Sequence, residues 1–190
     1  MRVFEMTRLL LIRHGESVLG SQKRYAGHTD TPLTDAGRSQ ILRLRGQFKQ
    51  SNVDRIYSSD LIRCRQTAAI LAPDQEIACS EQLRELNFGT WEGRTAEECA
   101  ALDPAHFRRW MEDPVSVSPP SGESLEHLSE RVNDFVEELS RRFPEQTIAL
   151  VMHGGPIRTL LVTDIANFWS VSVPLGAFIE CPERRCIGID

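Results

Sequence analysis

Two segments of the chain share one design, and that design constrains the fold more than any other feature. Leu9-Leu10-Leu11-Ile12 runs into Arg13-His14-Gly15, and Thr147-Ile148-Ala149-Leu150-Val151-Met152 runs into His153-Gly154-Gly155. Each is a short, unbroken apolar run, the pattern of a strand covered on both faces. Each stops on a histidine and a glycine. In open α/β sheets, ligands bind beyond the carboxyl ends of the strands, and glycine there lets the backbone approach a ligand closely. Pro156 suits the first turn of a helix running from Ile157 to Ile165. Such a helix aims free N–H groups and a partial positive charge at the same place, which suits a phosphate. One histidine at a strand end is usually a hydrogen-bonded structural residue; two of them, each followed by glycine, favour a site.

The rest of the chain alternates strand and helix. Thr34 precedes a helix predicted over 35–50, with Ile41, Leu44 and Phe48 on one stripe. Val53 to Tyr57 reads as a strand. Ser58-Ser59-Asp60 is a cap signal for a helix carrying Leu61, Cys64, Ala68 and Leu71, ended by Pro73. Residues 87–123 are rich in glycine and proline and hold Trp91 and Trp110, and they read as an insertion capping the core. Ser124 caps the clearest helix, with Leu125, Leu128, Val132, Phe135, Val136, Leu139 and Phe143 at spacings of three and four; Pro144 stops it. A final strand is expected near Gly176 to Glu180, and the remaining tail, Asn167 to Asp190, carries no recognisable pattern.

At 190 residues, one α/β or α+β domain spanning 1–190 is expected, long enough to bury a core without a disulfide or metal staple. The net charge of −5 disfavours non-specific binding to nucleic acid or to an anionic membrane. The cysteines are Cys64, Cys79, Cys99, Cys181 and Cys186. Their odd number and spacing suggest neither a disulfide framework nor a zinc knuckle, and reduced thiols in a cytoplasm fit best. The Leu9–Ile12 run is too short for a signal peptide, and no run reaches the length of a membrane span.

Three further side chains point to chemistry. Arg13 stands beside His14, and Arg63 lies in the helix after Ser58-Ser59-Asp60. A guanidinium grips phosphate oxygens with two parallel bonds. The usual fate of a helix arginine is a solvated face, which is expected for Arg38, Arg43, Arg45 and Arg65. Glu85 sits between Leu83 and Leu86, ahead of glycines and aromatics. A carboxyl in apolar surroundings can donate a proton near neutral pH. Arginines and imidazoles to neutralise oxygens, an in-line nucleophile and an acid for the leaving alcohol are the needs of phosphoryl transfer.

These residues lie in five ordered blocks: Arg13-His14-Gly15-Glu16-Ser17, Gly27 to Gly37, Ser58 to Ala68, Leu83 to Gly93, and Val151 to Gly155. Together they resemble the histidine phosphatase superfamily, the phosphoglycerate mutase-like fold, from about residue 8 to about residue 165. The resemblance implies a three-layer α/β/α fold, a mostly parallel sheet flanked by helices, with a small insertion after the Glu85 block. It implies that His14 is the nucleophile that becomes a phosphohistidine and that Arg13, Arg63 and His153 hold the phosphoryl group. It implies that Glu85 is the general acid, then the base for water, and that Ser17, Gly27 and Gly154 lie near the phosphate. No cofactor or metal is implied. The partner is a small-molecule phosphomonoester, and the family allows a homodimer. One departure stands out: the asparagine that the family often places after the nucleophile is here Gly20, so its hydrogen bond is missing or comes from elsewhere, Ser17 and Ser21 being the nearest hydroxyls.

The span between Gly93 and Gly122 is shorter than in the related mutases, and a more open cap favours hydrolysis over phosphate return. Phe107 to Pro114, Pro119 to Ser124 and Trp91 to Glu98 resemble the α-ribazole-5′-phosphate phosphatases of cobalamin biosynthesis, a pattern that broad-specificity phosphatases share. Trp110 is a candidate to stack on a flat base, packing between cap and core being the plainer alternative. Two other classes stay open. A metal-dependent hydrolase would use His14, His28, Asp30 and His153; a silent phospholigand-binding domain is slightly favoured by Gly20 and disfavoured by the intact His14, Glu85 and His153.

Overall fold

In the computed structural model, which describes residues 7–181, the two strand–His–Gly segments lie side by side. Strand β1 (Arg8–Arg13) pairs in parallel with β4 (Thr147–Met152), Arg13 opposite Met152, so both histidines emerge at the same sheet end. With β2 (Arg55–Ser59), β3 (Ile77–Ser80) and β5 (Phe178–Cys181) they form a five-stranded sheet in the order β3-β2-β4-β1-β5. Only β5 runs antiparallel, against β1. The expected final strand is therefore present, and Cys186 with the chain beyond Cys181 lies outside the described residues.

Leu9, Leu10, Leu11 and Ile12 are all buried, as a strand covered on both faces requires. Leu10, Ile12, Ile56, Ala149 and Val151 pack on one face against α2 (Asp35–Gln50) and α3 (Ile62–Leu71). Leu9, Leu11, Ile148, Leu150 and Met152 pack on the other against α6 (Leu125–Arg142) and α7 (Gly154–Leu161). The result is a three-layer α/β/α arrangement with a mixed, mostly parallel sheet, as the resemblance implied.

The shorter helices are α1 (Val18–Ser21), α4 (Ala96–Leu102) and α5 (Pro104–Glu112). Helices α4 and α5 lie within residues 87–123, whose Phe88, Trp91 and Trp110 pack on Leu125, Leu128 and Val132 of α6 and on Phe168. Phe168 belongs to a 3₁₀ turn, Ile165–Ser170.

Two expectations shift. The strand expected at 53–57 runs over Arg55–Ser59, so Ser58 and Ser59 end it rather than cap a helix. The N-cap of α3 is Leu61, without a side-chain cap bond of its own. Asp30 supplies the missing acceptor from another loop, taking the Ile62 N–H at 2.6 Å. The second shift is at α7, which starts at Gly154 with His153 as N-cap, ahead of the expected Ile157, and ends at Leu161.

Candidate active site

The parallel register brings His14 and His153 together at the C-terminal end of the sheet, ring centroids 5.0 Å apart. Both are buried. The Nδ1 of His14 donates to the Gly15 carbonyl at 2.7 Å, which fixes the tautomer and leaves Nε2 with a free lone pair. Burial, reinforced by the Arg63 charge, pushes the His14 pKa down to about 3, the Gly15 hydrogen bond opposing in part. The ring is therefore neutral, as a nucleophile must be.

His153 is held differently. Arg63 Nε donates to its Nδ1 at 3.2 Å, and its Nε2 donates to Ser59 Oγ at 2.9 Å. Burial, then the Arg63 charge, hold its pKa well below the ordinary value. The Cys64 thiol lies 3.3 Å from His153 Nε2, and burial pushes its pKa far up, so it stays protonated beside the site.

Arg63 is not on a solvated face. It occupies the first turn of α3 and is 1% exposed. Besides His153, it donates to the Gly27 carbonyl at 2.6 Å and the Thr29 carbonyl at 3.0 Å. Gly27 thus serves the site through its carbonyl. Its φ of +48° suits glycine, and a Cβ would lie 2.1 Å from Glu92 Oε1. Glu92 in turn accepts the His28 N–H at 2.7 Å and the Thr29 hydroxyl, and so holds the loop that seats Arg63. Of the other arginines expected on solvated faces, Arg43 and Arg65 are exposed, while Arg38 and Arg45 are half-buried.

Arg13 reaches the Val173 carbonyl through Nη1, while its buried Nε has no hydrogen-bond partner among the described residues. Burial lowers its pKa, with Glu85 opposing. Its guanidinium lies over Gly154, where a Cβ would meet Cζ at 3.2 Å. Arg158 flanks the same point, its Nη1 3.1 Å from that Cβ position.

Glu85 has apolar neighbours, Leu83 and Leu86 both being buried, and its carboxylate also meets backbone amides. Oε1 accepts the Gly155 N–H at 2.9 Å, at the start of α7, and the Leu86 N–H at 3.0 Å. The helix N-terminus predicted from Pro156 thus holds the Glu85 carboxylate in place. The Glu85 carbonyl takes hydrogen bonds from His28 Nε2 and Arg131 Nη2, both at 3.0 Å.

Ser17 is buried and caps α1, its hydroxyl oxygen accepting the Gly20 N–H at 3.3 Å. Ser21 turns its hydroxyl back onto the Val18 carbonyl at 2.8 Å. Among the described residues, no group of three His, Cys, Asp or Glu is placed to hold a metal ion. His28 and Asp30 are engaged with Glu85 and Ile62 instead. Trp110 is 3% exposed and packs edge-on to Trp91 in the insertion, the plainer of its two readings. The exposed tryptophan is Trp169, in a segment without a sequence pattern, over the Arg158 guanidinium at 5.7 Å. Among the described residues, no helix is long and apolar enough to cross a membrane.

Comparison with known proteins adds to this geometry. A family model for the histidine phosphatase superfamily (branch 1) matches residues 9–180. Phosphoserine phosphatase 1 of Hydrogenobacter thermophilus is 35% identical over 188 residues, covering 95% of this chain and 89% of the relative. The adenosylcobalamin/alpha-ribazole phosphatase of Salmonella typhimurium is 30% identical over 177 residues, covering 90% of this chain and 88% of the relative. The crystal structure of the alpha-ribazole phosphatase from Shigella flexneri superposes with a TM-score of 0.83 at 28% identity, covering 92% of this chain and 89% of that one.

Proposed function

The chain belongs to the histidine phosphatase superfamily and is a phosphatase; from that premise we propose that it hydrolyses a small phosphomonoester, without metal, through a phosphohistidine on His14. The observation that carries the proposal is the His14 ring, neutral, with Nδ1 committed to Gly15 and Nε2 free, beside the cations Arg13 and Arg63. In the first step the Nε2 lone pair attacks phosphorus and the bond from phosphorus to the alcohol oxygen breaks. Glu85 gives its proton to the departing oxygen. Oε1 is tethered by two amides, which leaves Oε2 to carry that proton. In the second step water attacks the phosphorus, the Glu85 carboxylate takes the water proton, and the N–P bond breaks. Phosphate leaves and neutral His14 returns. Arg13, Arg63 and His153 stabilise the charge that develops on the phosphoryl oxygens.

The insertion favours α-ribazole 5′-phosphate as substrate, in a cytoplasmic cobalamin pathway. A second reading, phosphoserine, draws on Arg158, which flanks Gly154 together with Arg13 and has no acidic partner among the described residues. A guanidinium there would suit a carboxylate on the alcohol part, and the Hydrogenobacter relative carries that substrate's name.

The test is kcat/KM for both compounds in EDTA, with p-nitrophenyl phosphate as reference. About 10⁴ M⁻¹s⁻¹ or more on one of them, far above the reference, identifies the substrate. Loss of all activity in EDTA sinks the metal-free mechanism. Glu85→Gln should slow reaction most with poor leaving groups and least with p-nitrophenol, which barely needs an acid. Equal losses on all substrates count against Glu85 as the acid.

A further inference from the structure

Residues 84–88, which carry the acid, belong to no helix or strand, so no backbone ladder fixes Glu85. Something else must hold it, because a misplacement of about 1 Å can cost roughly a hundredfold in rate. The amides of Gly155 and Leu86 tether the carboxylate itself; the backbone that carries it is held from α6. Arg131 forks onto Glu123, Nε to Oε1 at 2.6 Å and Nη2 to Oε2 at 2.9 Å, with both side chains largely buried. The same guanidinium donates to the carbonyls of Gln82 at 2.7 Å, Arg84 at 2.9 Å and Glu85 at 3.0 Å. Glu123 takes the next stretch: its Oε2 accepts the Asn87 N–H at 3.2 Å, and its own N–H donates to the Asn87 carbonyl at 2.9 Å. The pair therefore grips the chain on both sides of Glu85. Neither residue bonds to Arg13, His14, Arg63 or His153.

We propose that Arg131 and Glu123 are positioning residues for Glu85: they set where the proton is delivered and leave phosphate binding untouched. This rests on Glu85 being the acid. A pair that served stability alone would slow all substrates alike on removal, through loss of folded enzyme.

The experiment compares kcat/KM, which reads phosphoryl transfer to His14, on p-nitrophenyl phosphate and on phenyl phosphate, whose leaving group needs a proton. Arg131→Met, Arg131→Lys, Glu123→Gln and Glu85→Gln are measured beside the parent, with the inhibition constant of inorganic phosphate and the thermal transition. For Arg131→Met, kcat/KM on phenyl phosphate should fall about tenfold or more, and on p-nitrophenyl phosphate less than about threefold. The phosphate inhibition constant should stay within about twofold, and Arg131→Lys should recover part of the loss. Should Arg131→Met not fold, Arg131→Lys and Glu123→Gln decide the matter by the same ratio. Equal losses on both substrates, or a raised phosphate inhibition constant, overturn the proposal while Glu85→Gln still shows its selective loss. If Glu85→Gln itself loses equally on both, the acid assignment has failed and the positioning role goes with it.

Discussion

Gly155 has no side chain because Glu85 occupies the space. A Cβ there would lie 2.1 Å from Glu85 Oε1 and 3.2 Å from Leu128 Cδ2. Gly155→Ala should drive the carboxylate off the start of α7 and lower kcat/KM on phenyl phosphate by about a hundredfold, the lower range for a lost general acid. Phosphate inhibition should be little changed, and enzyme assays with a thermal melt check both. At this scale the residues of the candidate site were legible, and the fold brings them together. His14, His153, Arg13, Arg63 and Glu85 sit in blocks whose resemblance to the family points to one chemistry. What those blocks do not disclose is how the residues are held. Arg63 looks like any helix arginine until the Gly27 and Thr29 carbonyls and His153 close around it. Glu92, Glu123 and Arg131 act on backbone groups, and a backbone acceptor has no letter in the sequence. Charged residues aimed at site-bearing loops with no helix or strand are the signal that would have found them.

Helix α3 carries Arg63 in its first turn but borrows its cap from a distant loop. Removing that acceptor with Asp30→Ala should destabilise the protein by about 1 kcal/mol, the usual worth of a cap. It should also weaken phosphate inhibition, because the turn that presents Arg63 loses its anchor. Denaturant unfolding and inhibition kinetics report the two effects separately. The sequence pattern located this helix and missed its start. Ser58-Ser59-Asp60 has the composition of a cap, but the two serines are drawn into β2, and Asp60 pairs with Arg84 instead. Local propensity lost to sheet pairing and to a charge partner. Where cap and helix are adjacent, as at Ser124 before α6, the boundary is correct to the residue.

For the molecule as a whole, buried neutral groups bound the pH range of stability on both sides. His14 and His153 stay uncharged in the fold, but in the unfolded chain they take up protons below about 6.5. The unfolded state then binds more protons, so stability falls as pH drops from about 6.5 towards about 3, where His14 titrates in the fold. The slope is about 1.4 kcal/mol per pH unit for each such histidine. Cys64 acts with the opposite sign: unfolded, it ionises above about 9, and folded it does not, so stability falls again at high pH. Urea midpoints between pH 4 and 10 should trace a dome with its top near neutrality; a midpoint that rises between pH 6 and pH 4.5 contradicts the buried, neutral histidines. The sheet order has a consequence of another kind. Strand β1 is made early, but both its neighbours, β4 and β5, are made late. At roughly 5–20 residues per second, a ribosome keeps the Leu9–Ile12 run waiting on the order of ten seconds for its partners. During that time a greasy strand with bare edges is exposed to the cell, so the yield of this enzyme depends on what shelters its first strand before its last exists.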